Sequence, residues 1–256
     1  MHLQPYVFFE EADVAVWENG KPEAILDPGV VEIWRLHFPS CIHRLPELYE
    51  ILNPEEKSKS ALFYHETDKY KFIIGKAMLR MLLGDYLNKN PETLDFTLGV
   101  NMKPVLKMDN DISMHFNLSH SGEYILIAVS DSPVGIDIER YETDLNINEI
   151  IEIAFNAKEI RYLKRQKSPD KTFFKLWTRK EALLKATSKG LNDDIRSVPC
   201  LDGKHAVSAE LINNSQHWRV SNFVVDDQHT GSIAYLKSSR ELRFRQFISQ
   251  TADAFC

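Results

Sequence analysis

The chain has 256 residues, of which 43% are hydrophobic and 27% are charged, and its formal net charge is -6. This composition is globular, with enough apolar residues for the core of one large domain or two smaller ones. An acidic chain has no overall cationic field, so a nucleic-acid or anionic-membrane partner would need a local basic patch, which composition cannot show, and we expect neither partner. The three cysteines are an odd number and lack a C-x-x-C pair, which disfavours a disulfide framework and a zinc cluster and favours a reducing cytoplasm.

The first half of the chain predicts one strand followed by two helices. Residues 30–38 are rich in β-branched and aromatic side chains, which is typical of a strand. Asn53 followed by Pro54 predicts the start of a helix that runs toward Tyr64. Apolar residues recur with a period close to 3.6 over residues 68–87, and this pattern predicts a longer helix.

The middle of the chain predicts a β-hairpin. Residues 124–130 and 134–138 each favour a strand, and the intervening Asp131-Ser132-Pro133 favours a turn. We therefore expect these two strands to pair antiparallel. Residues 116–121 precede the hairpin and are interpreted as a loop.

Two short helices are predicted next from their capping residues. Either Asn146 or Asn148 could cap the first helix, and Asn156 with Glu159 three residues later forms a capping-box pattern for the second. Both helices lie in the second half of the chain.

The last part of the chain predicts a long helix and then short strands. The helix covers residues 172–188, with Gly190 placed as its stop, and residues 204–236 alternate as strands. Residues 76–80 align with residues 181–185 inside the two long helices. This weak internal echo suggests a duplicated α+β unit.

Two carboxylates lie two positions apart in a predicted strand. That spacing puts Asp137 and Glu139 on one face, while Ile136 and Ile138 point to the core. Repulsion between the acids favours a cation between them, and oxygen ligands suit Mg²⁺ better than a transition metal. The alternative is a strand with a solvated acidic face.

The long helix carries an aromatic residue, an acid and a base on one stripe. Trp177, Glu181 and Lys185 recur every four residues. The alternative interpretation is a Glu181–Lys185 ion pair beside a core tryptophan. The same helix concentrates positive charge at Arg179, Lys180, Lys185 and Lys189. Such clustering suits a phosphate ligand.

The Ser119-His120-Ser121 stretch also offers functional groups. A serine-hydrolase role is disfavoured, because adjacent residues seldom pair their own side chains and no acid is placed to orient the imidazole. A hydroxyl and an imidazole from a loop are good donors to phosphate oxygens, and the alternative is a turn capped by Ser119.

Together these stretches resemble the Sfp-type 4'-phosphopantetheinyl transferases, whose pattern is an N-[IL]-S-H-S loop, a G-[IV]-D-[IVLA]-E strand and a W-x-x-K-E-A-x-x-K helix. This sequence has N-L-S-H-S at 117–121, G-I-D-I-E at 135–139 and W-T-R-K-E-A-L-L-K at 177–185. The resemblance implies an α+β fold of two similar halves related by a pseudo-twofold, with the active site in the cleft between them. We place the halves at residues 1–131 and 132–256.

The resemblance also implies an activity, namely transfer of 4'-phosphopantetheine from coenzyme A to a serine of an apo acyl, peptidyl or polyketide carrier protein, with release of 3',5'-ADP. Asp137, Glu139 and Glu181 would hold Mg²⁺, or Mn²⁺, against the pyrophosphate. Asp137, Glu181 and Lys185 would be catalytic, with Glu181 or a metal-bound water beside it as the general base. A duplicated chain can complete its cleft alone, so we expect a monomer.

Further residues would contact coenzyme A by the same resemblance. They are Lys59, Lys71, Lys103, Pro104, Ser119, His120, Lys180 and Lys185. Lys71 stands where many relatives have arginine, so the charge is kept but the bidentate fork is lost. Ser188 stands where the G-x-G-L ending of the family begins, and we expect a less tight turn there.

Two other activities would also use carboxylates and lysines of this kind. A metal-dependent phosphohydrolase also uses carboxylates and lysines, although such enzymes usually need more ligands around two metals. A non-catalytic coenzyme A-binding protein would have no reason to keep three acids converging. Because carrier proteins are often acidic, we expect a basic or apolar docking patch despite the net charge.

Overall fold

The computed structural model describes residues 4–12, 14–22, 26–107, 113–142, 147–190, 195–213, 215–239 and 241–247. The strands in these ranges are β1 (Tyr6–Glu11), β2 (Glu18–Gly20), β3 (Val30–His37), β4 (Phe96–Leu98), β5 (Pro104–Leu106), β6 (His115–Ser121), β7 (Tyr124–Ser130), β8 (Val134–Arg140), β9 (Gly203–Ala206), β10 (Trp218–Asp226), β11 (His229–Leu236) and β12 (Glu241–Phe247). The α-helices are α1 (Leu45–Glu50), α2 (Pro54–Ser60), α3 (Glu66–Leu87), α4 (Ile147–Ala154), α5 (Ala157–Leu163) and α6 (Pro169–Ala186). Short 3-10 segments occur at Phe38–Arg44, Pro91–Thr93, Val100–Met102 and Ile195–Ser197.

Two five-stranded sheets have closely similar topology. The first sheet has the order β2-β12-β3-β7-β6, the second has the order β9-β1-β10-β11-β8, and β4 and β5 form a separate pair. In both large sheets the second and third strands run parallel, and the two pairs that follow are antiparallel. The predicted α+β fold with two similar halves is confirmed.

The terminal strands cross between the two sheets. β1, from the start of the chain, pairs with β10, and β12, from its end, pairs with β3. Each half therefore contributes one strand to the sheet of the other. A division at residues 1–131 and 132–256 stays a prediction, and the strand pairing crosses it.

One long helix packs on each sheet. α3 buries residues such as Ile74 and Leu82 against the first sheet, and α6 buries Leu183 against the second. A third cluster, which includes Ile33 and Ile136, fills the space between the two sheets. The layers are thus helix, sheet, sheet and helix. None of the helices in the described ranges is long and apolar enough to cross a membrane.

The predicted hairpin between β7 and β8 is wrong. β7 lies between β3 and β6 and so has no free edge, while β8 pairs with β11 in the second sheet. The Asp131-Ser132-Pro133 turn connects two sheets instead of closing a hairpin. The true hairpin joins β6 to β7, so the stretch interpreted as a loop at residues 116–121 is a strand.

The capping predictions have mixed outcomes. Asn53 and Asn156 each accept backbone N–H groups in a full capping box, as predicted. α2 ends at its seventh residue and does not continue toward Tyr64. Asn148 lies inside α4 and is not its cap, whereas Asn146 lies outside the described residues.

The end of α6 departs from the predicted glycine stop. Ser188 adopts a left-handed conformation with φ of 54°, and Gly190 does not. The Lys189 N–H donates to the Leu184 carbonyl at 3.0 Å and closes the terminal turn around Ser188. A left-handed residue with a side chain costs roughly 1 kcal/mol, so this turn forms despite an unfavourable residue.

Candidate active site

The edges of β6 and β8 meet without a backbone ladder between them. The Ile136 N–H donates to Asn117 Oδ1 at 2.8 Å, and the Arg140 N–H donates to Ser121 Oγ at 3.0 Å. Alternation along β6 points Asn117, Ser119 and Ser121 toward β8. Side chains of the N-L-S-H-S stretch therefore bond directly to the G-I-D-I-E strand, and we call this junction the β6–β8 seam.

Asp137 is the centre of a hydrogen-bonded cluster at the seam. The Lys185 ammonium lies 2.6 Å from Asp137 Oδ1 and donates to Ser119 Oγ at 3.0 Å. The Ser119 hydroxyl donates to Asp137 Oδ1 at 2.9 Å. Three residues from β6, β8 and α6 are thus held together, although they are far apart in sequence.

Glu139 and Glu181 flank Asp137 in partly desolvated positions. Ser121 Oγ donates to Glu139 Oε2 at 3.0 Å, and the Trp177 indole also bonds to this carboxylate. Burial, together with the charge of Asp137, raises the pKa of Glu139 to about 7. The same two causes raise the pKa of Glu181 to about 7. The acids therefore share one region, which brings together the three carboxylates singled out in the sequence.

Gly135 allows α6 to approach β8 this closely. A Cβ at Gly135 would lie 2.2 Å from the Ala186 nitrogen and 2.3 Å from the Ala182 carbonyl oxygen. Because β8 alternates, Gly135, Asp137 and Glu139 share the face that α6 covers. The predicted acidic face exists, and the helix covers it so that Asp137 is buried and Glu139 is only partly exposed.

The predicted stripe on α6 faces these acids. Trp177 bonds to Glu139, and Lys185 bonds to Asp137. The alternative Glu181–Lys185 ion pair is not the arrangement found, since the ammonium of Lys185 binds the β8 carboxylate.

Unpaired oxygen atoms on these acids bear on whether they could hold a metal. Among the residues that the structure describes, no three His, Cys, Asp or Glu side chains are grouped closely enough to hold a metal ion. The Lys185 ammonium occupies the position beside Asp137 Oδ1. However, Asp137 Oδ2 and Glu181 Oε1 are both buried without a hydrogen-bond partner. Buried carboxylate oxygens without partners are costly, and these two oxygens are of the type that a hard cation binds.

A cationic region adjoins the acids on the α3 side. His120 lies on β6, where partial burial, followed by the charges of Lys71 and Lys185, lowers its pKa, while the nearby Asp68 acts in the opposite direction. Lys71 Nζ lies 5.4 Å from the Phe38 ring centroid. Three cationic or imidazole groups therefore converge, an arrangement that suits an anion. Lys59 lies on exposed α2, where the Phe72 ring is its aromatic neighbour.

Lys103 connects the β4–β5 pair to the site. Its ammonium donates to the Lys185 carbonyl at 2.7 Å and to the Val134 carbonyl at 3.0 Å. Burial lowers the pKa of Lys103 to about 8. Pro104 follows as the first residue of β5. Lys103 thus holds the end of α6 and the start of β8, and nucleotide contact by Lys103 and Pro104 stays a prediction.

The structure does not place Lys180 at this site, contrary to the expectation. Lys180 is fully buried, and its ammonium donates to the Val198 and Ile195 carbonyls and lies 3.0 Å from Glu159 Oε2. These partners use all three of its protons. Arg179 is likewise buried and bonded elsewhere. Successive helix positions are rotated by about 100°, so neighbours of Glu181 in sequence point away from it.

Sequence reasoning missed the roles of Asn117, Ser121 and Gly135. The available signal was the period of two in Asn117, Ser119 and Ser121, which is typical of one face of a strand. Nothing in the local pattern showed which strand this face would meet.

Comparison with known proteins agrees with this arrangement. Residues 133–234 match the 4'-phosphopantetheinyl transferase superfamily, and residues 39–132 match the N-terminal part of a 4'-phosphopantetheinyl transferase. A 4'-phosphopantetheinyl transferase of Bacillus subtilis is 31% identical over 70% of this chain and 79% of its own. The 4'-phosphopantetheinyl transferase psf-1 of Bacillus pumilus is 33% identical over 65% of this chain and 71% of its own.

A more distant relative extends the similarity. The 4'-phosphopantetheinyl transferase HetI of Nostoc is 27% identical over 85% of this chain and 92% of its own length. The family matches cover both sides of the β6–β8 seam, including all the acids described above. The chain therefore belongs to the Sfp-type 4'-phosphopantetheinyl transferase family.

Proposed function

We propose that this protein transfers 4'-phosphopantetheine from coenzyme A to a serine hydroxyl of an apo carrier protein and releases 3',5'-ADP. A divalent cation, Mg²⁺ or Mn²⁺, would be held by Asp137, Glu139 and Glu181. The observation that carries the proposal is the convergence of these acids with Lys185, because two of their buried oxygens have no hydrogen-bond partner. When bound, the cation would neutralise charge on the pyrophosphate.

The first requirement of the reaction is removal of a proton from the attacking serine. Glu181 is our candidate for the general base: its carboxylate is partly buried beside Asp137, and these two causes raise its pKa to about 7 in the metal-free protein. A base with a pKa near the working pH is both available and strong enough to accept the proton. The bond from the serine oxygen to the β-phosphorus forms as the bond to the 3',5'-ADP oxygen breaks.

The second requirement is stabilisation of the leaving group. Lys185 presents its ammonium beside Asp137 and Ser119. His120 and Lys71 add donors and positive charge on the α3 side. We assign these groups to the phosphates of coenzyme A because they supply positive charge and hydrogen-bond donors. Removal of one such contact typically costs about 2 to 3 orders of magnitude in rate.

The family relationship favours transfer over the alternative of phosphodiester hydrolysis or coenzyme A binding alone. One chain supplies every residue of the site, which supports a monomer as the active species. Cys41 and Cys200 are buried thiols that form no disulfide within the described residues, which supports a reducing cytoplasm as the location.

Mass spectrometry of apo carrier proteins tests this function directly. Carriers are incubated with coenzyme A and the protein, with Mg²⁺ in one arm and with a chelator in another. A gain of one phosphopantetheine on serine, abolished by the chelator and by Asp137→Ala, is expected. Release of 3',5'-ADP without any acceptor would instead indicate hydrolysis.

The general-base role of Glu181 has its own test. Glu181→Gln keeps the size of the side chain and removes its basicity. We expect loss of transfer with coenzyme A binding retained. Full turnover by this variant with metal still bound would exclude the base role.

A further inference from the structure

An exposed cluster of cations covers α5, the turn after it and the first turn of α6. Its members, which we call the basic surface, are Lys158, Arg161, Lys164, Arg165, Lys167 and Lys171. Within the described residues, none of the six forms an ion pair. Two acids lie in the same stretch: Glu159 is buried and paired with Lys180, and Asp170 is exposed in the first turn of α6, so six exposed cations face one exposed acid. The surface is therefore strongly positive on a chain whose net charge is -6.

A basic helix face is often only a solvated surface, so a second feature is needed to indicate a partner. A cleft of about 660 Å³ borders the basic surface. Its lining includes Tyr141, Tyr162, Lys171 and Val224, and also Glu11, which pairs with Lys175. The side chain of Val224 is 61% exposed. An aromatic and aliphatic recess with a charged rim is the usual anatomy of a protein interface.

The cleft lies within reach of the acids. Tyr141 follows β8 directly and is four residues beyond Asp137, which is about 13 Å along a strand. Lys171 precedes Glu181 by ten residues on α6, which is about 15 Å along the helix. A small domain of about 100 residues has a radius of gyration of roughly 13 Å, so a partner seated here could place a surface serine at the acids.

We propose that the basic surface and its cleft dock the acidic face of the apo carrier protein. The inference rests on the proposed function, because the partner is the acceptor of that reaction. Opposite charge would steer the carrier to the enzyme, and a carrier side chain would enter the cleft beside Val224.

The charge component is tested by the double variant Lys164→Glu, Arg165→Glu. Its control is Lys21→Glu, Lys89→Glu, which changes net charge equally at exposed positions elsewhere. Steady-state transfer is measured against carrier and against coenzyme A. We expect KM for carrier to rise about tenfold or more only in the first variant, with kcat and KM for coenzyme A little changed. KM for carrier should also rise with salt in the unmodified protein and less so in that variant.

The cleft component is tested at Val224. Val224→Asp places a negative charge where an acidic partner would sit, and Val224→Thr keeps the shape. We expect a several-fold rise in KM for carrier for the aspartate variant and a KM near that of the unmodified protein for the threonine variant.

The outcomes separate failure of this inference from failure of the proposed function. If the unmodified protein modifies no carrier, the proposed function itself fails. If it modifies carrier and both double variants have equal KM for carrier, the docking site is wrong. Loss of binding to anionic vesicles or duplex DNA in Lys164→Glu, Arg165→Glu, with KM for carrier unchanged, would also overturn the proposal.

Discussion

The approach of α6 to β8 depends on the absence of a side chain at Gly135. In Gly135→Ala, the new Cβ would lie 2.2 Å from the backbone nitrogen of Ala186, and ordinary contact begins at 3.4 Å. The helix must therefore retreat by about 1.2 Å, because its backbone atoms cannot rotate aside as a side chain could.

The retreat has two measurable costs. Overpacking in a well-packed region destabilises by about 1 to 3 kcal/mol, so the free energy of unfolding should fall by that amount. The Lys185 ammonium would also leave its 2.6 Å contact with Asp137. Since a displacement near 1 Å can cost about 100-fold in rate, we expect transfer to slow by roughly two orders of magnitude.

Urea unfolding and the carrier modification assay measure these two costs. Gly75→Ala is a matched control inside α3, where the nearest atom to the new Cβ is 3.5 Å away, on Leu118. Alanine is the better helix former by up to about 1 kcal/mol, so this control should be more stable and fully active. If Gly135→Ala instead unfolds at the same urea concentration as the unmodified protein and keeps full activity, then close packing of α6 on β8 is not what positions the residues of the site.

Three further changes test other parts of the structure. Ser188→Gly should raise the free energy of unfolding by about 1 kcal/mol, measured in urea, because glycine adopts the left-handed conformation without penalty. Lys180→Met leaves Glu159 buried without its cationic partner and should cost about 3 to 5 kcal/mol, whereas adding Glu159→Gln should recover part of the loss in thermal melts. Burial raises the pKa of Glu139 and of Glu181 from 4.5 to about 7, so between these values the folded protein binds more protons than the unfolded chain. Without metal, Tm should therefore fall as pH rises from 4.5 to 7, and Mg²⁺ should reverse this trend; a Tm that rises without metal would contradict the raised pKa values.

The site was predictable where the chemistry follows a local period. A spacing of two in a strand placed Asp137 and Glu139 on one face, and a spacing of four in a helix aligned Trp177, Glu181 and Lys185. The structure confirms that the strand face and the helix stripe meet. Periodicity alone could not show this meeting, which depended on the resemblance of the combined motifs to a family.

Two errors have a common physical origin in long-range contacts. β8 is apolar and follows a turn, as a hairpin strand would, and only its pairing with β11, about a hundred residues later, assigns it to the second sheet. Lys180 sits beside Glu181 in sequence, yet its charge is neutralised by Glu159 from α5. Local sequence specifies that a lysine is present in a buried helix, but it does not specify which element supplies its partner.

The β6–β8 seam suggests why the two motif stretches occur together. A strand edge leaves backbone N–H groups unpaired, and two different sheets present such edges here. Asn117 and Ser121 satisfy the N–H groups of Ile136 and Arg140, so side chains replace the missing backbone ladder. A continuous ladder would draw the strands together and leave no room between them for Ser119 and Asp137 to face Lys185. A junction built from side chains therefore joins the two halves and, at the same place, leaves carboxylate oxygens free for a ligand.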